Sequence, residues 1–221
     1  SSAEVSLSTT LVIGNKNYSS WSLRPWLLLR HFEVAFTEIR LPLDTPEFHE
    51  RIGALSPSRR VPALHDGGLV VWDSLAICEY ANERWLDGRG WPRDLAQRAL
   101  ARCAAAEMHS GFAALRAQLP MNLRRQPRER HWDDAAERDI RRVQDLWLGF
   151  LAAARGGDFL FGGFGIVDAM FAPVCVRFRG YGVRLEPACA DYVDAIYALP
   201  AMREWVASAL AETERVAADE A

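Results

Sequence analysis

The chain has 221 residues, of which 50% are hydrophobic and 25% are charged, as is ordinary for a globular protein. Its net charge of −3 argues against a general attraction to nucleic acid or to an anionic membrane. No apolar stretch reaches the roughly 18 residues that a membrane span needs. Residues 1–10 are small and polar and lack the pattern of a signal peptide, so we expect a cytoplasmic protein.

The four cysteines, at positions 78, 103, 175 and 189, form no Cys-x-x-Cys pair and stand at no metal-ligand spacing from a histidine. Each lies in an apolar segment, where a free cysteine usually packs as a small hydrophobic residue. We therefore expect buried thiols, with neither a disulfide framework nor a metal site.

The residues up to about 86 alternate between strand and helix patterns. Apolar runs predict strands at 10–14, 36–41, 61–64 and 69–72, and a turn with two glycines at 65–68 joins the last two. Helices are predicted at 21–31 and at 73–86, and a short helix is predicted to begin after Thr45, which would be its N-cap. The resulting order, β-α-β-α-β-β-α, is that of the thioredoxin-like fold.

Residues 87–92 contain two glycines and a proline and predict a linker. It would separate an α/β domain at residues 1–87 from an all-helical domain at residues 93–221. In the second half, helices are predicted at 93–119, 132–155, 166–179, 188–199 and 201–213. We expect the basic run 122–130 to be a solvated loop rather than a nucleic-acid site, and the residues after 214 to fray.

Three short motifs carry candidate chemistry. Residues 17–25, Asn-Tyr-Ser-Ser-Trp-Ser-Leu-Arg-Pro, place hydroxyls at the start of the first helix, where unpaired N–H groups and the helix dipole favour an anion. A hydroxyl there could donate a hydrogen bond to a thiolate, although the serines could also simply cap the helix.

The second motif has Val61-Pro62 at the start of a strand, and a cis bond there would turn the Val61 backbone outward to pair with an extended peptide. The third motif is Trp72-Asp73-Ser74 at a helix start. Asp73 and Ser74 could hold the ammonium and carboxylate groups of an amino acid, or they could cap the helix.

The three motifs together resemble those of the glutathione transferases, and the resemblance covers nearly the whole chain. It implies the glutathione transferase fold, an α/β thioredoxin-like N-terminal domain followed by an all-α C-terminal domain. It also implies glutathione as a co-substrate and a homodimer. Residues 161–174 resemble the helix-capping motif of that family, with Asp168 as its acidic member and Gly165 in the place of a Ser or Thr.

The resemblance assigns roles to individual residues. Residues 19–24 look most like the serine-type zeta and theta classes, which implies Ser20, or else Ser19, as the residue that stabilises the glutathione thiolate. Glutathione itself is expected to be bound by Arg60 (with Arg59 as an alternative), Val61, Pro62, Asp73 and Ser74. The binding site for a hydrophobic electrophilic substrate is expected to be lined by six residues, unless they pack in the core: Tyr18, Trp21, Met108, His109, Phe112 and Arg177.

The leading expectation is therefore an enzyme that conjugates glutathione to a small electrophile. The alternatives are a maleylacetoacetate-type isomerase, a glutathione-dependent disulfide reductase and a non-catalytic binding module. Trp21 stands where the zeta class has a cysteine after its two serines, which argues against the isomerase. The pair Arg177-Phe178 resembles a zeta-class pair whose arginine is linked to an acidic substrate.

Overall fold

A computed structural model describes residues 8–154 and 156–221. The first seven residues and the predicted helix end at Arg155 lie outside this range. The strands are β1 (Thr9–Ile13), β2 (Thr37–Arg40), β3 (Ala63–Asp66) and β4 (Leu69–Trp72). The helices among them are α1 (Ser20–His31), α2 (Pro46–Leu55) and α3 (Ser74–Arg84). The later helices are α4 (Leu95–Ser110), α5 (Ala113–Gln118), α6 (Asp134–Ala153), α7 (Ile166–Gly180), α8 (Pro187–Ala198) and α9 (Pro200–Ala211).

The four strands form one mixed sheet in the order β2-β1-β3-β4. β1 is parallel to β2 and antiparallel to β3, which in turn pairs antiparallel with β4. Successive side chains of a strand point to opposite faces, and both faces of β1 are covered. Leu11 and Ile13 join the large core formed with α1 and α3, whereas Val12 packs with Ile52 of α2 in a smaller cluster.

Helix α7 is the centre of the helical part and is buried along almost its whole length. It packs against α1 of the sheet part and against α4, so that one hydrophobic core spans both parts. The sheet part and the helical part are therefore held together by a shared hydrophobic core. None of the described helices is long and apolar enough to cross a membrane.

The start of α7 explains why the helix-capping motif has a glycine. The Asp168 carboxylate accepts hydrogen bonds from the Gly165 amide at 2.9 Å, the Leu160 amide at 3.2 Å and the Tyr192 hydroxyl at 2.8 Å. Burial raises the pKa of Asp168 to about 6. A Cβ at Gly165 would lie only 2.7 Å from the Gly90 carbonyl oxygen, so a serine does not fit without a backbone shift.

The structure corrects several sequence-based expectations. The predicted helix 93–119 is two helices, α4 and α5, because the backbone turns at Gly111 and at Phe112, which has a left-handed φ of 57°. Cys103 is exposed on α4, whereas the other three cysteines are buried. The basic run 122–130 is not simply solvated, since Arg125 is buried, and the tail is held in place, with Val216 also buried.

Candidate functional site

A cleft of about 580 Å³ lies where the sheet part meets α4 and α5. It is lined by Trp21, Ser58, Arg60, Val61, Pro62, Trp72, Asp73, Ser74, His109 and Arg116. The cleft thus brings together Trp21 and the five residues that the family resemblance assigned to glutathione. Among residues 8–154 and 156–221, no group of three His, Cys, Asp or Glu side chains could hold a metal ion.

One end of the cleft is formed by Asp73 and Ser74 at the start of α3. Asp73 caps the helix through a 3.0 Å hydrogen bond from the Ala76 amide, and its other carboxylate oxygen lies 2.7 Å from Nε2 of His109. Its φ of 74° is a strained value for a residue with a Cβ, and such strain concentrates at functional sites. The Ser74 hydroxyl is buried and has no hydrogen-bond partner within the described chain.

The Ser74 hydroxyl, which lacks a partner among the described residues, indicates which chemical group fits here. Leaving a buried hydroxyl unpaired costs about 1–3 kcal/mol, which a ligand that accepts its hydrogen bond would recover. A carboxylate placed there would also meet the N-terminus of α3, while an ammonium group would meet the Asp73 carboxylate. The residues present therefore fit the end of a peptide that carries both charges.

The middle of the cleft is formed by the segment before β3. The Val61–Pro62 peptide bond is cis, and both residues line the cleft. The neighbouring arginines point in different directions. The Arg59 guanidinium lies against Gly53 of α2, where a Cβ would be 3.1 Å from it, whereas Arg60 lines the cleft.

The two candidate serines have different environments at the start of α1. The Ser19 hydroxyl donates to the Ser22 hydroxyl at 2.6 Å, and the Ser22 oxygen also accepts from the Gly14 amide at 3.2 Å. Ser19 makes no side-chain cap to the helix. The Ser20 hydroxyl forms none of the hydrogen bonds found among the described residues. Neither serine lines the cleft itself, although Ser20 directly precedes Trp21, which does.

Positive charge is concentrated beside Trp21. The Arg24 guanidinium lies 4.2 Å and that of Arg116 5.5 Å from the centre of the Trp21 ring. Burial and the nearby charge of Arg177 lower the pKa of Arg24 to about 9, and burial and Arg116 lower the pKa of Arg177 to about 10. None of the three arginines forms an ion pair with a carboxylate within the described residues. Of the three arginines only Arg116 is among the residues that line the cleft, so an anionic group in the cleft would meet the positive charge of Arg116.

Four residues expected at the cleft are not among its lining residues. Tyr18 faces away, and its hydroxyl accepts a 2.9 Å hydrogen bond from Arg124. Met108 is fully buried in the core, and Phe112 is buried at the break between α4 and α5. Arg177 is also buried, and its guanidinium donates hydrogen bonds to the carbonyl oxygens of Arg116 at 3.0 Å and Leu119 at 2.8 Å.

Sequence reasoning missed Ser58, Trp72 and Arg116 as cleft residues. No local pattern indicated Arg116, because it lies on α5, beyond the turn at Gly111 and Phe112, and helical spacing from His109 on α4 does not extend across that turn. Trp72 belongs to the third motif and Ser58 lies just before Val61-Pro62, but their exposure to the cleft depends on how the loop and strand pack, which no local pattern reports.

Residues 18–84 match the family model of the glutathione S-transferase N-terminal domain. The match extends from the residues just before α1 to the end of α3. Maleylacetoacetate isomerase from the rat is 34% identical over 97 residues, which are 43% of this chain and 45% of the rat protein. The match therefore spans about half the length of the curated relatives.

Solved structures extend the likeness to nearly the whole chain. A glutathione transferase homologue from Burkholderia with bound glutathione has a TM-score of 0.70 at 23% identity, covering 93% of this chain and 100% of that one. Maleyl pyruvate isomerase, a bacterial zeta-class glutathione transferase, has a TM-score of 0.71 at 23% identity with the same coverage. At these identities the likeness establishes the glutathione transferase fold.

Proposed function

We propose that this protein is a glutathione transferase, which binds glutathione in the cleft and activates its thiol with Ser20 for conjugation to a small electrophile. The observation that carries the proposal is the buried Ser74 hydroxyl beside the Asp73 carboxylate, since this hydroxyl has no hydrogen-bond partner among the described residues. These two groups suit the carboxylate and the ammonium of the γ-glutamyl end. Glutathione is bound in the Burkholderia homologue, which supports the same ligand class here.

The rest of the cleft suits the rest of the peptide. Arg60 lines it and would meet the glycyl carboxylate, because a guanidinium forms strong charge-assisted hydrogen bonds with a carboxylate. Val61 also lines it and would offer its backbone to the cysteinyl residue. Glutathione would then lie extended from the start of α3 toward Arg60, with its thiol toward the start of α1.

Ser20 is the better candidate for thiol activation, because the Ser19 proton is already donated to Ser22. A hydrogen bond to a charged group contributes about 1.5–3 kcal/mol, and a helix N-terminus adds about 0.3–1 kcal/mol. Since one pKa unit corresponds to about 1.36 kcal/mol, the two effects lower a thiol pKa by about one to three units. Glutathione supplies the nucleophilic sulfur, and the protein stabilises its charge and orients it.

The test is a pH titration of the ultraviolet thiolate absorbance of bound glutathione in wild type, Ser20→Ala and Ser19→Ala. We expect Ser20→Ala to raise the thiol pKa by about one unit or more and to lower turnover much more than affinity. Ser19→Ala is the matched control, and its thiol pKa should stay near the wild-type value. Equal losses of turnover and affinity in Ser20→Ala would contradict the assigned role.

A second candidate is a glutathione-dependent isomerase that acts on an acidic substrate such as a cis-alkene diacid. Two observations favour it: the positive charge near Trp21 from Arg24, Arg116 and Arg177, and the similarity to maleylacetoacetate isomerase. A substrate screen separates the candidates, with Arg116→Gln as the variant and the exposed Arg203→Gln as its control. Selective loss of isomerase turnover in Arg116→Gln would support the second candidate.

Two further alternatives are resolved by the same screen. Turnover of disulfide substrates with glutathione would indicate a disulfide reductase. Tight glutathione binding without turnover of any substrate class would indicate a binding module. We place both behind conjugation, because the chain keeps the serine pair at α1 and the Asp73-Ser74 pair at α3.

We also propose a homodimer, which the family resemblance implies. Large apolar side chains are exposed on β4 and α4, namely Leu69, Trp72, Leu95 and Leu100. Burying these side chains in a dimer interface would remove apolar surface from water, which favours association. Analytical ultracentrifugation should show a dimer that Leu95→Arg weakens, whereas Leu210→Arg, at a leucine of α9 that is also exposed, should not. A wild-type monomer would refute the proposal.

A further inference from the structure

The loop between β1 and α1, residues 14–19, leads directly into Ser20 and is buried although its residues are mostly polar. Its buried polar side chains are Asn15, Lys16, Asn17 and Ser19. A buried polar loop needs partners for its backbone and side chains. In this protein most of the partners come from two distant segments, the connector 122–124 and the C-terminal segment 212–220.

Glu212 binds the backbone of this loop with both carboxylate oxygens. The Lys16 amide donates to Oε2 at 3.0 Å and the Asn17 amide donates to Oε1 at 2.9 Å, across a sequence separation of 196 residues for the first pair. The Glu212 side chain is only 9% exposed, and Arg40 lies 3.4 Å from it. Charge-assisted hydrogen bonds of this kind are shorter and stronger than neutral ones, so this carboxylate holds the loop backbone firmly.

Asn17 ties the same loop to the connector. Its backbone carbonyl accepts from the Leu123 amide at 3.2 Å, and its side-chain oxygen accepts from the Arg124 amide at 2.9 Å. Its side-chain amide donates to Asn122 at 2.9 Å. Asn17 is fully buried, so these contacts leave little freedom for the backbone around it.

Arg124 then joins the C-terminal segment to the loop. Its guanidinium donates to the Glu212 carbonyl oxygen, to the Glu214 carbonyl oxygen at 2.5 Å and to the Tyr18 hydroxyl at 2.9 Å. The Tyr18 hydroxyl donates in turn to the Glu220 carboxylate. The basic connector and the tail, which sequence patterns indicate as a solvated loop and a frayed end, are therefore bonded to the loop that precedes Ser20.

We propose that Glu212 and Arg124 are positioning residues for Ser20. The C-terminal segment then contributes to thiol activation by holding the loop that precedes Ser20 in place. The inference rests on the proposed function. The position of Ser20 depends on the loop backbone, because the Ser19 amide donates to the Asn15 carbonyl at 2.8 Å and the Ser20 amide donates to the Tyr18 carbonyl at 2.9 Å. A displacement of about 1 Å at a reacting group can lower turnover by about a hundredfold, so a loosened loop has a measurable consequence.

The experiment measures the pKa of the bound glutathione thiol, the glutathione Kd and the thermal midpoint in wild type, Glu212→Ala, Glu212→Gln and Glu214→Ala. Glu214 is the matched control, because it lies in the same segment and pairs with Arg40 at 2.8 Å but forms no hydrogen bond with the loop within the described chain. Glu212→Gln keeps the shape of the side chain but can accept only one of the two amides.

We expect Glu212→Ala to raise the thiol pKa by about one unit and to lower turnover by about tenfold or more. The glutathione Kd should change by less than about threefold, because Asp73, Ser74 and Arg60 line the cleft whereas Glu212 lies outside it. Glu212→Gln should show a smaller shift in the same direction and provides the measurement if Glu212→Ala does not fold. Glu214→Ala should match wild type in thiol pKa and turnover.

A lower thermal midpoint with an unchanged thiol pKa in both Glu212 variants would overturn the inference, because Glu212 would then only stabilise the fold. This result is distinguishable from failure of the proposed function. If wild type binds glutathione without lowering its thiol pKa, the proposed function fails and the positioning role fails with it. If wild type lowers the thiol pKa and the Glu212 variants do so equally, only the positioning role is refuted.

Discussion

Replacing Ser74 by alanine should have opposite effects on the free and the glutathione-bound protein. The Ser74 hydroxyl is buried without a partner within the described chain, and the cap of α3 is made by Asp73 instead. Alanine therefore removes an unsatisfied polar group and has a higher helix propensity. We expect the free energy of unfolding of the ligand-free protein to rise by about 1 kcal/mol.

The same substitution should weaken glutathione binding. If the Ser74 hydroxyl donates to the γ-glutamyl carboxylate, the lost hydrogen bond to a charged group is worth about 1.5–3 kcal/mol. That difference corresponds to an increase in Kd of about ten- to 150-fold. Urea unfolding measures the first effect, and isothermal titration calorimetry with glutathione measures the second.

The control for Ser74→Ala is Ser208→Ala in α9, which lies outside the cleft and should leave glutathione affinity unchanged. The reasoning would be refuted if Ser74→Ala lowered the stability of the ligand-free protein and left the Kd unchanged. The hydroxyl would then be part of the helix start rather than part of a ligand site.

Three other predictions concern the fold around the site. Gly165→Ala should lower the free energy of unfolding by about 1–3 kcal/mol in urea titrations, because its Cβ would lie 2.7 Å from the Gly90 carbonyl oxygen. Because burial raises the pKa of Asp168 to about 6, its contribution to stability is present below its unfolded pKa near 4 and is lost as pH rises through 6. The loss should be about 3 kcal/mol, and Asp168→Asn should flatten it in unfolding titrations from pH 4 to 7. In the native protein, a thiol reagent should label Cys103 quickly and the three buried cysteines only after unfolding.

Each of these predictions has its own control. Gly163→Ala places a Cβ where no atom of the described residues lies within 4 Å, so it should be nearly neutral, and an equal loss of stability at both glycines would contradict the clash. A pH dependence that survives in Asp168→Asn would have to come from another group. Cys103→Ser should abolish native labelling, and labelling that persists would mean that a buried thiol becomes exposed.

The sequence by itself determined the order of the elements and the location of the three motifs. Hydrophobic periodicity and turn residues are local signals, and the strand, helix and turn around Val61-Pro62 and Asp73-Ser74 are formed by residues close in the chain. The motifs also lie at helix starts, where unpaired amides make functional groups recognisable. For these reasons the cleft residues Trp21, Asp73 and Ser74 could be named from sequence.

Only the tertiary structure decided which polar residues face the cleft and which hold the fold. Arg177 and Tyr18 carry the right chemistry for a substrate site, yet carbonyl groups of the α5 region bind the first and Arg124 binds the second. The hydrogen bonds from the Lys16 and Asn17 amides to Glu212 join opposite ends of the chain. Local patterns report a residue's neighbours in sequence, whereas such contacts depend on how distant segments pack, and they exist only once the chain has folded.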